Sequence, residues 1–353
     1  MRLRTVLAAF TAGLAAVATL TAAGPAAAHP ATGNACSPSV TLDRFSDALD
    51  KTTFGGSFVG NLSALAPDVT RSRLRPNGGT PGGSLAALSD RSALFLLDAR
   101  TLAPKSVVPL ADEKGAALDS EGLVVDRDGT LLVSSETEPS VRRYDRDGEI
   151  LDRLPVPSPL LVAPAGRASA NQTFEGLTLL PGGRTLLASM EYAIAGDSPG
   201  VVRFQTWTRT RHDRFRLAAQ YAYRADAGLG VPEVQALADG RLLVLERGFT
   251  AGVGNTVRLY LADPRRATDT AGVENLTGQP GVRLVGKTLL ADLVTCPSLG
   301  ATARQPQPNP LLDNIEGMAV TGRDRGGLRV LLVSDDNQNA AQTTRFLFLH
   351  VRV

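Results

Sequence analysis

Short apolar runs alternate with Gly- and Asp-rich turns along most of the chain. The runs are rich in Val and Leu, and glycine interrupts them too often for helices of ordinary length. Pairs of runs flank Asp128-Gly129, Gly182-Gly183, Asp239-Gly240 and Gly326-Gly327, which is a pattern typical of β-hairpins. The hydrophobic pattern therefore predicts an all-β fold built from hairpins.

The hairpin recurs as a weak internal repeat. Copies of it run from Asp119 to Glu136, from Thr173 to Glu191, from Pro232 to Arg247 and from Asn314 to Asn339, and a fifth, with an insertion, runs from Asn61 to Arg91. Further strands follow the hairpins, and units of four strands repeated roughly every 50 residues are typical of β-propeller blades. Five units are visible, and we expect a six-bladed propeller because stretches 92–118 and 250–295 have room for degenerate strands.

The first 28 residues fit a secretory signal peptide. Arg2 and Arg4 precede an Ala-rich apolar run, and Ala26-Ala27-Ala28 fits a cleavage site. No later stretch approaches the roughly 18 apolar residues of a membrane span. We therefore expect a secreted, extracellular monomer without a membrane span. Residues 29–54 are predicted to help close the ring, and residues 55–353 to form the propeller.

Two cysteines are present, Cys36 and Cys296. Export favours a disulfide between them over two free thiols, and their wide spacing disfavours a zinc site. A lipid anchor on Cys36 is the alternative, but Gly33-Asn34-Ala35 before it lacks the expected Leu. The disulfide would pin the N-terminal segment to the last third of the chain and help to close the ring.

The repeat places acidic residues at one end of each hairpin. In a blade the first strand lines the channel and the second runs back antiparallel to it, so the start of one and the end of the other lie together. We therefore expect a ring of carboxylates at one end of the channel. The acids at these positions are Asp90, Glu121, Glu136, Glu175, Glu191, Glu233, Glu246, Glu316, Asp335 and Asp336.

Carboxylates gathered in this way raise each other's pKa unless a cation compensates them. Arg91 and Arg247 directly follow two of the acids, and Ca²⁺, which prefers oxygen ligands, is the other compensation. Each acid taken alone is better explained as a solvated strand end, but repetition in register favours a shared site. The predicted calcium ligands are Glu121, Glu136, Glu175, Glu191, Glu246, Glu316 and Asp336.

Charge and motifs narrow the function. The chain has 37 basic and 35 acidic residues, so no nucleic-acid surface is predicted. No G-x-S-x-G motif of a serine hydrolase is present. The Gly-rich stretch from Gly78 to Ser84 lacks the P-loop lysine and is predicted to be a loop.

Three stretches resemble the phytase-like family, whose description is "esterase-like activity of phytase". They are NQTFEGL (Asn171–Leu177), ADGRLLVLERGF (Ala238–Phe249) and the segment from Asn314 to Phe346. The resemblance extends from about Gly55 to the C-terminus, and it implies an exported β-propeller similar to the calcium-dependent propeller phytases. Val234-Gln235 stands where Glu-Gly is expected, which puts the contribution of that unit to any site in doubt, and the first unit departs as well.

The leading hypothesis is a calcium-dependent phosphoesterase or esterase-like hydrolase acting on a small molecule such as a phosphate ester. Glu175, Glu316, Arg91 and Arg247 are the predicted catalytic group, in which the arginines and Lys287 clamp phosphate oxygens and the metal activates water. Two alternatives remain. One is a metal-dependent lactonase-type hydrolase, and the other is a binding propeller with structural calcium and no activity.

Overall fold

The structure, a computed structural model, describes residues 33–68 and 83–353. The predicted signal peptide 1–28, residues 29–32 of the predicted closing segment and residues 78–82 of the Gly-rich stretch lie outside the described residues. Three short 3₁₀ helices, Ser158–Leu160, Pro264–Arg266 and Leu293–Thr295, occur in the described part of the chain. The strands are β1 (Val40–Ser46), β2 (Thr52–Phe54), β3 (Ser57–Val59), β4 (Leu62–Asp68), β5 (Ser84–Ser89), β6 (Ala93–Asp98), β7 (Pro104–Pro109), β8 (Ser120–Val125), β9 (Leu131–Ser135), β10 (Ser140–Tyr144), β11 (Ile150–Arg153), β12 (Phe174–Leu179), β13 (Thr185–Met190), β14 (Val201–Arg209), β15 (Phe215–Arg224), β16 (Gly230–Ala236), β17 (Leu242–Thr250), β18 (Gly254–Asp263), β19 (Gly286–Asp292), β20 (Ile315–Asp324), β21 (Gly327–Ser334) and β22 (Phe346–Val351).

The strands form five four-stranded antiparallel sheets and a separate two-stranded hairpin, β2–β3. Blades 1 to 4 are β4–β7, β8–β11, β12–β15 and β16–β19, and blade 5 consists of β20, β21, β22 and β1. The first strands of the blades touch in the circular order β4, β8, β12, β16, β20 and back to β4. The protein is therefore a β-propeller, which confirms the predicted all-β fold class.

The predicted blade number is wrong, because the described residues form five blades and not six. The stretches expected to hide a further blade do contain strands, but these strands complete existing sheets. β6 and β7, in residues 92–118, pair outward from β5 in blade 1, whereas β18 and β19, in residues 250–295, pair outward from β17 in blade 4. Backbone hydrogen-bonding groups in an outer strand are satisfied most simply by the sheet already beside them.

The ring is closed by the N-terminal segment. β1 pairs antiparallel with β22, from Val40 opposite Val351 to Ser46 opposite Phe346, and so supplies the outermost strand of the last blade. The predicted disulfide is confirmed, since Cys36 is bonded to Cys296 with a sequence separation of 260. Two connections, one of hydrogen bonds and one covalent, thus tie the start of the described chain to its last third.

The core lies between neighbouring blades, and this explains why several strands lack polar–apolar alternation. Leu242, Leu243, Val244 and Leu245 in β17 are all fully buried. Leu242 and Val244 join one apolar cluster, whereas Leu243 and Leu245 join another on the opposite face of the sheet. A strand buried on both faces reads as a continuous apolar run. Within the described residues no helix has the length and apolar character needed to cross a lipid bilayer.

Candidate functional site

All five innermost strands leave regular pairing near their first residues, and in three of them a Glu-Gly pair stands at the shift. The register of β8 against β9 shifts between Ser120 and Leu123, and equivalent shifts occur in β12 and β20. Such β-bulges kink a strand and re-aim side chains. The residues at these shifts are the repeated Glu-Gly pairs: Glu121-Gly122, Glu175-Gly176 and Glu316-Gly317.

Glycine follows each of these glutamates because neighbouring blades come into backbone contact there. A Cβ atom on Gly122 would lie 2.3 Å from the carbonyl oxygen of Glu175, and one on Gly176 would lie 2.6 Å from the amide nitrogen of Val234. In the same place Ser134 Oγ accepts from the Gly122 amide at 2.6 Å and donates to the Glu175 carbonyl at 2.7 Å. The pairs therefore set the spacing of the first strands and bring their glutamates to one axis.

The glutamates open into a cavity of about 430 Å³ at one end of the channel. Its wall carries eight carboxylates and two guanidinium groups, together with hydroxyl and amide groups. Blades 1, 2, 3 and 5 supply the acids, whereas blade 4 supplies only Arg247. The charged residues are Asp90, Asp119, Glu121, Glu136, Glu175, Glu191, Glu316, Asp335, Arg91 and Arg247.

Two groups of acids in this cavity have the spacing of cation ligands. Carboxylate oxygens of Asp119, Glu121 and Glu136 lie within 4.8 Å of one another, and so do those of Glu136, Glu175 and Glu191. Two oxygens bound to one Ca²⁺ at 2.3–2.6 Å are at most about 5 Å apart. The donors are all oxygens, with no imidazole or thiolate among them, so spacing and chemistry both fit a hard divalent cation.

Burial and mutual repulsion raise the pKa values of the four glutamates in these two groups. Burial is the largest cause for Glu121 and Glu175, and the neighbouring carboxylates, Glu316 and Glu136 for the first and Glu121 and Glu191 for the second, raise both pKa values further. The pKa of Glu136 is raised to about 7 and that of Glu191 to about 8, again chiefly by burial. Protons on these groups relieve the repulsion at low pH, and a bound cation would relieve it at neutral pH.

Arg247 joins acids from two blades. Its Nη2 donates to Glu316 Oε1 at 2.5 Å and lies 3.5 Å from Glu191 Oε1. Asn314 Nδ2 donates to the same Glu316 oxygen at 2.9 Å. Arg247 and Asn314 thus hold Glu316 in place as an acceptor.

Arg91 stands at the mouth of the cavity. Its side chain is 64% exposed, and its Nε lies 3.5 Å from Asp90 Oδ1. Asp90 Oδ1 is buried and has no hydrogen-bond partner within ranges 33–68 and 83–353. Burial raises the pKa of Asp90 to about 6, although the positive charge of Arg91 opposes this shift.

Residues 58–338 match the sequence model of the family described as "Phytase-like: Esterase-like activity of phytase". The chain belongs to the phytase-like family. An uncharacterized secreted protein of Arthroderma benhamiae is 28% identical to this phytase-like chain over an alignment that covers 26% of the chain and 23% of that protein. The chain thus matches less than a quarter of the length of this relative.

Two solved structures are similar to the phytase-like chain at low identity. A protein of unknown function from Bacteroides caccae has a TM-score of 0.34 and 12% identity, over 72% of this chain and 68% of that one. The PQQ-bound form of an aldose sugar dehydrogenase from Streptomyces coelicolor has a TM-score of 0.39 and 13% identity, over 91% of this chain and 100% of that one.

Glu246, a predicted calcium ligand, does not reach the cavity of this phytase-like protein. It pairs with Arg258 of β18, and its carboxylate accepts from the Tyr223 hydroxyl at 2.6 Å and from Lys287 Nζ at 2.6 Å. Because successive residues of a strand point to opposite faces, Arg247 turns into the cavity and Glu246 turns away from it. Lys287, expected to clamp phosphate, is engaged in the same buried network.

Asp336, the other predicted ligand that needs correction, also faces away from the cavity. It accepts from the Asn61 amide at 2.9 Å and from the ammonium group of Lys51. Its neighbour Asp335 lines the cavity instead, and burial raises the pKa of Asp335 well above its usual range. The acid that lines the cavity, Asp335, and the acid that binds the start of the first blade, Asp336, are therefore consecutive residues.

Blade 4 departs from the other blades because its acid follows the bulge and does not occupy it. Glu233 pairs directly with Leu245, after the register shift, and is fully buried. Its Oε1 accepts from the amides of Val234 at 2.8 Å and Leu177 at 3.3 Å. Val231 and Pro232 occupy the shifted positions, so alignment of Glu233 with the Glu-Gly glutamates was two residues out of register.

Sequence reasoning missed Asp119 as a member of the acid cluster. Asp119 Oδ2 accepts from Thr137 Oγ1 at 2.8 Å, and the residue lies two positions before Glu121. Asp119 lies directly before β8, and an acid two positions ahead of the repeated glutamate was the signal in the sequence. Asn314, two positions before Glu316, lines the cavity in the same way.

Proposed function

We propose that this phytase-like protein is an exported, calcium-dependent phosphoesterase. The observation that carries the proposal is the charge of the cavity, where eight carboxylates face two guanidinium groups. A phosphate dianion is repelled by such a wall unless a cation stands between them. Membership of a family described by esterase-like activity of phytase supports the same reaction class.

Glu121, Glu136, Glu175 and Glu191, together with Asp119, are the groups that would hold Ca²⁺. Their oxygens meet the spacing of a calcium site, and Glu136 belongs to both acid groups, so two ions sharing Glu136 would be accommodated. When bound, the ion supplies the positive charge that stabilises phosphate oxygens and favours ionisation of a nearby water.

The two arginines bind the phosphate oxygens that the cation leaves free. Arg247 is fixed by Glu316 and by its approach to Glu191, so its guanidinium is oriented before the substrate arrives. Arg91 is exposed at the mouth and contacts the incoming anion first. Guanidinium groups suit this task because two parallel N–H bonds match two phosphate oxygens.

Hydrolysis forms a bond from a water oxygen to phosphorus, breaks the ester P–O bond and transfers a proton to the leaving oxygen. Asp90, whose buried Oδ1 accepts no hydrogen bond from the described residues and whose pKa is raised to about 6, is the base that we assign to accept the proton of the attacking water and to pass it to the leaving oxygen. Glu175 and Glu316 are the two other acids that we assign to the site. Glu175 would help to hold the cation, and Glu316 orients Arg247.

Export is supported by three independent observations. The N-terminal 28 residues have the pattern of a signal peptide, and the Cys36–Cys296 disulfide is typical of an oxidising compartment. The relative from Arthroderma benhamiae is described as a secreted protein. The proposal also includes that the protein is a monomer.

The test is release of inorganic phosphate from 4-nitrophenyl phosphate and inositol hexakisphosphate by the mature protein, in EDTA and in millimolar Ca²⁺. Activity should require Ca²⁺, and Glu175→Gln should lower it about 100-fold, as expected when one group of a preorganised charged site is removed. Glu149→Gln, an exposed turn acid, is the matched control.

Calcium-loaded protein that releases no phosphate would refute the proposal. Lactone hydrolysis in its place would indicate the lactonase-type alternative, and calcium stabilisation without any turnover would indicate a binding propeller.

A further inference from the structure

A second pocket, of about 240 Å³, adjoins the acidic cavity and shares Asn314 and Asn337 with it. We call it the amide pocket. Its wall carries six carboxamide side chains and one aromatic ring, and neither acids nor bases are among the described residues that line it. The remaining lining residues are Phe249, Asn255, Gln305, Asn339 and Gln342.

Asn255 has a buried side chain whose hydrogen-bonding capacity is left unused by the described residues. The residue is 1% exposed, yet neither Nδ2 nor Oδ1 of its side chain has a hydrogen-bond partner in the described parts of the chain. Its backbone is held in place, because its amide donates to Gln307 Oε1 at 2.7 Å. A buried unpaired polar group costs about 1–3 kcal/mol. A ligand hydroxyl, which both donates and accepts, is suited to such a carboxamide.

Phe249 supplies an apolar face beside these amides. It lies directly opposite Asn255 in the β17–β18 pair, so the two side chains project from the same face of the sheet. The ring is 57% exposed, which is unusual for a large apolar side chain in this protein. Hydroxyl-bonding amides beside a flat ring suit a saturated polyhydroxylated ring, whose C–H face packs on the aromatic and whose hydroxyls meet the amides.

The cations behind the amide pocket are already neutralised. Lys51 Nζ donates to the Asn339 carbonyl at 2.9 Å and pairs with Asp336. Arg304 donates to the Gln342 carbonyl at 3.0 Å and to Asp50 Oδ2 at 2.5 Å. Neither charge is offered to a second phosphate group, so the pocket favours a neutral ring over a polyphosphorylated one.

We propose that the amide pocket binds the neutral polyhydroxylated ring of the substrate, a sugar or cyclitol that carries a single phosphate into the acidic cavity. The inference rests on the proposed phosphoesterase for the phosphate, but the ring site stands on its own geometry. Hydrolysis would break the ester P–O bond, release the ring as a free alcohol with a proton on its oxygen, and leave the oxygen from water on phosphate.

Binding of the ring alone is tested by titrating the calcium-loaded mature protein with methyl α-D-glucopyranoside and with myo-inositol, followed by saturation-transfer NMR. The two probes separate a sugar site from a cyclitol site. Phe249→Ala should weaken binding of the preferred ring about tenfold, a typical loss for an aromatic packing contact with hydrogen bonds beside it. Val253→Ala is the matched control, since Val253 is 56% exposed on the same hairpin but does not line the pocket.

Asn255→Ala gives a second readout that a structural role would not produce. The substitution removes a buried unpaired amide, so the melting temperature should stay level or rise while ring binding falls. A fall in both melting temperature and binding would instead indicate a residue that supports the fold.

Kinetics distinguish the ring site from the proposed function. The parent should hydrolyse glucose 6-phosphate or inositol monophosphate with a higher kcat/KM than methyl phosphate, and Phe249→Ala should reduce only the ring ester. If no ester is hydrolysed, the phosphoesterase proposal fails, and the NMR titration still decides the ring site. The ring site is refuted if the parent binds neither ring, if Val253→Ala weakens binding as much as Phe249→Ala, or if inositol hexakisphosphate is the preferred ester.

Discussion

Glu136 lies at the point where the two acid groups of the cavity meet. Its carboxylate accepts from the Thr173 amide at 3.2 Å, and burial and the charge of Asp119 raise its pKa to about 7. Ionising Glu136 in the folded protein costs free energy, and both acid groups share this residue. Removal of its charge should therefore stabilise the cation-free fold and weaken cation binding.

We expect Glu136→Gln to stabilise the cation-free protein and to weaken its response to calcium. At pH 8 in EDTA the free energy of unfolding should rise by about 1–2 kcal/mol, because one buried charge and its repulsion are removed. In millimolar Ca²⁺ the variant should gain far less in melting temperature than the parent. Thermal unfolding in the two buffers measures both effects. Glu149→Gln should match the parent in each, and a Glu136→Gln protein with the full calcium response would contradict the shared-ligand assignment.

Arg247 contributes positive charge to the acidic cavity, so its removal should have the opposite effect on stability to that of Glu136→Gln. It is the guanidinium that compensates Glu316 and approaches Glu191, and its own side chain is largely buried. Arg247→Met should lower the free energy of unfolding by about 3 kcal/mol in EDTA, since removal of one partner leaves buried charges unpaired. Urea denaturation measures the change. Arg265→Met, which removes an exposed pair with Asp263, should leave the free energy of unfolding close to that of the parent. Equal costs for the two variants would count against the bridging role.

For single residues, the sequence pattern predicted most of the acids of the cavity but not the direction in which each side chain points. Glu121, Glu136, Glu175, Glu191 and Glu316 line the cavity as their repeat positions suggest. Glu246 and Asp336 occupy comparable positions in the hairpin repeat, yet they point away from the cavity. A one-residue shift of register reverses the face of a strand residue, and no local property of the sequence records that shift.

At the scale of secondary structure elements, the bulged start of the innermost strand is the unit that repeats. The bulge directs the glutamate toward the channel, and the following glycine lets the next blade approach to backbone contact. These two consequences explain why the pair Glu-Gly recurs as a pair. Where blade 4 has Val231-Pro232 in the shifted positions, no acid reaches the cavity.

Gly176→Ala tests the spacing role of the bulge. A methyl group there would lie 2.6 Å from the Val234 amide nitrogen and 2.7 Å from the Glu233 Cα atom, so blades 3 and 4 would be pushed apart. We expect a loss of about 1–3 kcal/mol in the free energy of unfolding, as for overpacked cores. Gly286→Ala, in β19 with open space around the added methyl group, should be neutral. If chemical denaturation shows no difference between the two variants, close approach is not the reason for the glycine.

At the scale of the whole molecule, the ring depends on the connection between its ends. β1 completes blade 5, and the Cys36–Cys296 disulfide holds the segment that precedes it. The double variant Cys36→Ser/Cys296→Ser should lose stability, with about 5 kcal/mol as the upper value from loop entropy. Reversible chemical denaturation of parent and variant measures the difference. An unchanged denaturation midpoint would mean that the pairing of β1 with β22 closes the ring without covalent help.

The acidic cavity also makes the stability of the whole fold depend on pH. The pKa values of Asp90, Glu136 and Glu191 are raised to about 6, 7 and 8 in the folded state. Between about pH 4.5 and 8 the folded protein therefore binds more protons than the unfolded chain, and its stability in EDTA falls as pH rises through this window.

Calcium should reverse this trend, because it compensates the same charges without protons. The increase in melting temperature on adding millimolar Ca²⁺ should be small at pH 5, where protons occupy the acids, and largest near pH 8. Thermal unfolding at four pH values with and without Ca²⁺ tests the expectation. A calcium shift that is independent of pH would show that the ion binds elsewhere.

The amino-acid sequence was enough to predict the hairpin repeat, the all-β propeller class, the disulfide pair and the concentration of acids at one end of the hairpins. These features are local or repeated, so hydrophobic pattern, turn residues and cysteine count are enough to reveal them. The family resemblance carried by the segments around Glu175 and Glu316 belongs to this group, since it too resides in contiguous residues.

The number of blades, the set of acids that face the channel and the existence of the amide pocket depend on long-range packing and could not be predicted from the sequence. Outer strands join whichever sheet leaves fewest backbone groups unpaired, which pattern alone does not show. Asn255 and Gln342 belong to different blades, and their meeting depends on the closed ring. Strand register and blade packing are long-range properties, and in this protein they determine the face that each side chain presents to the site.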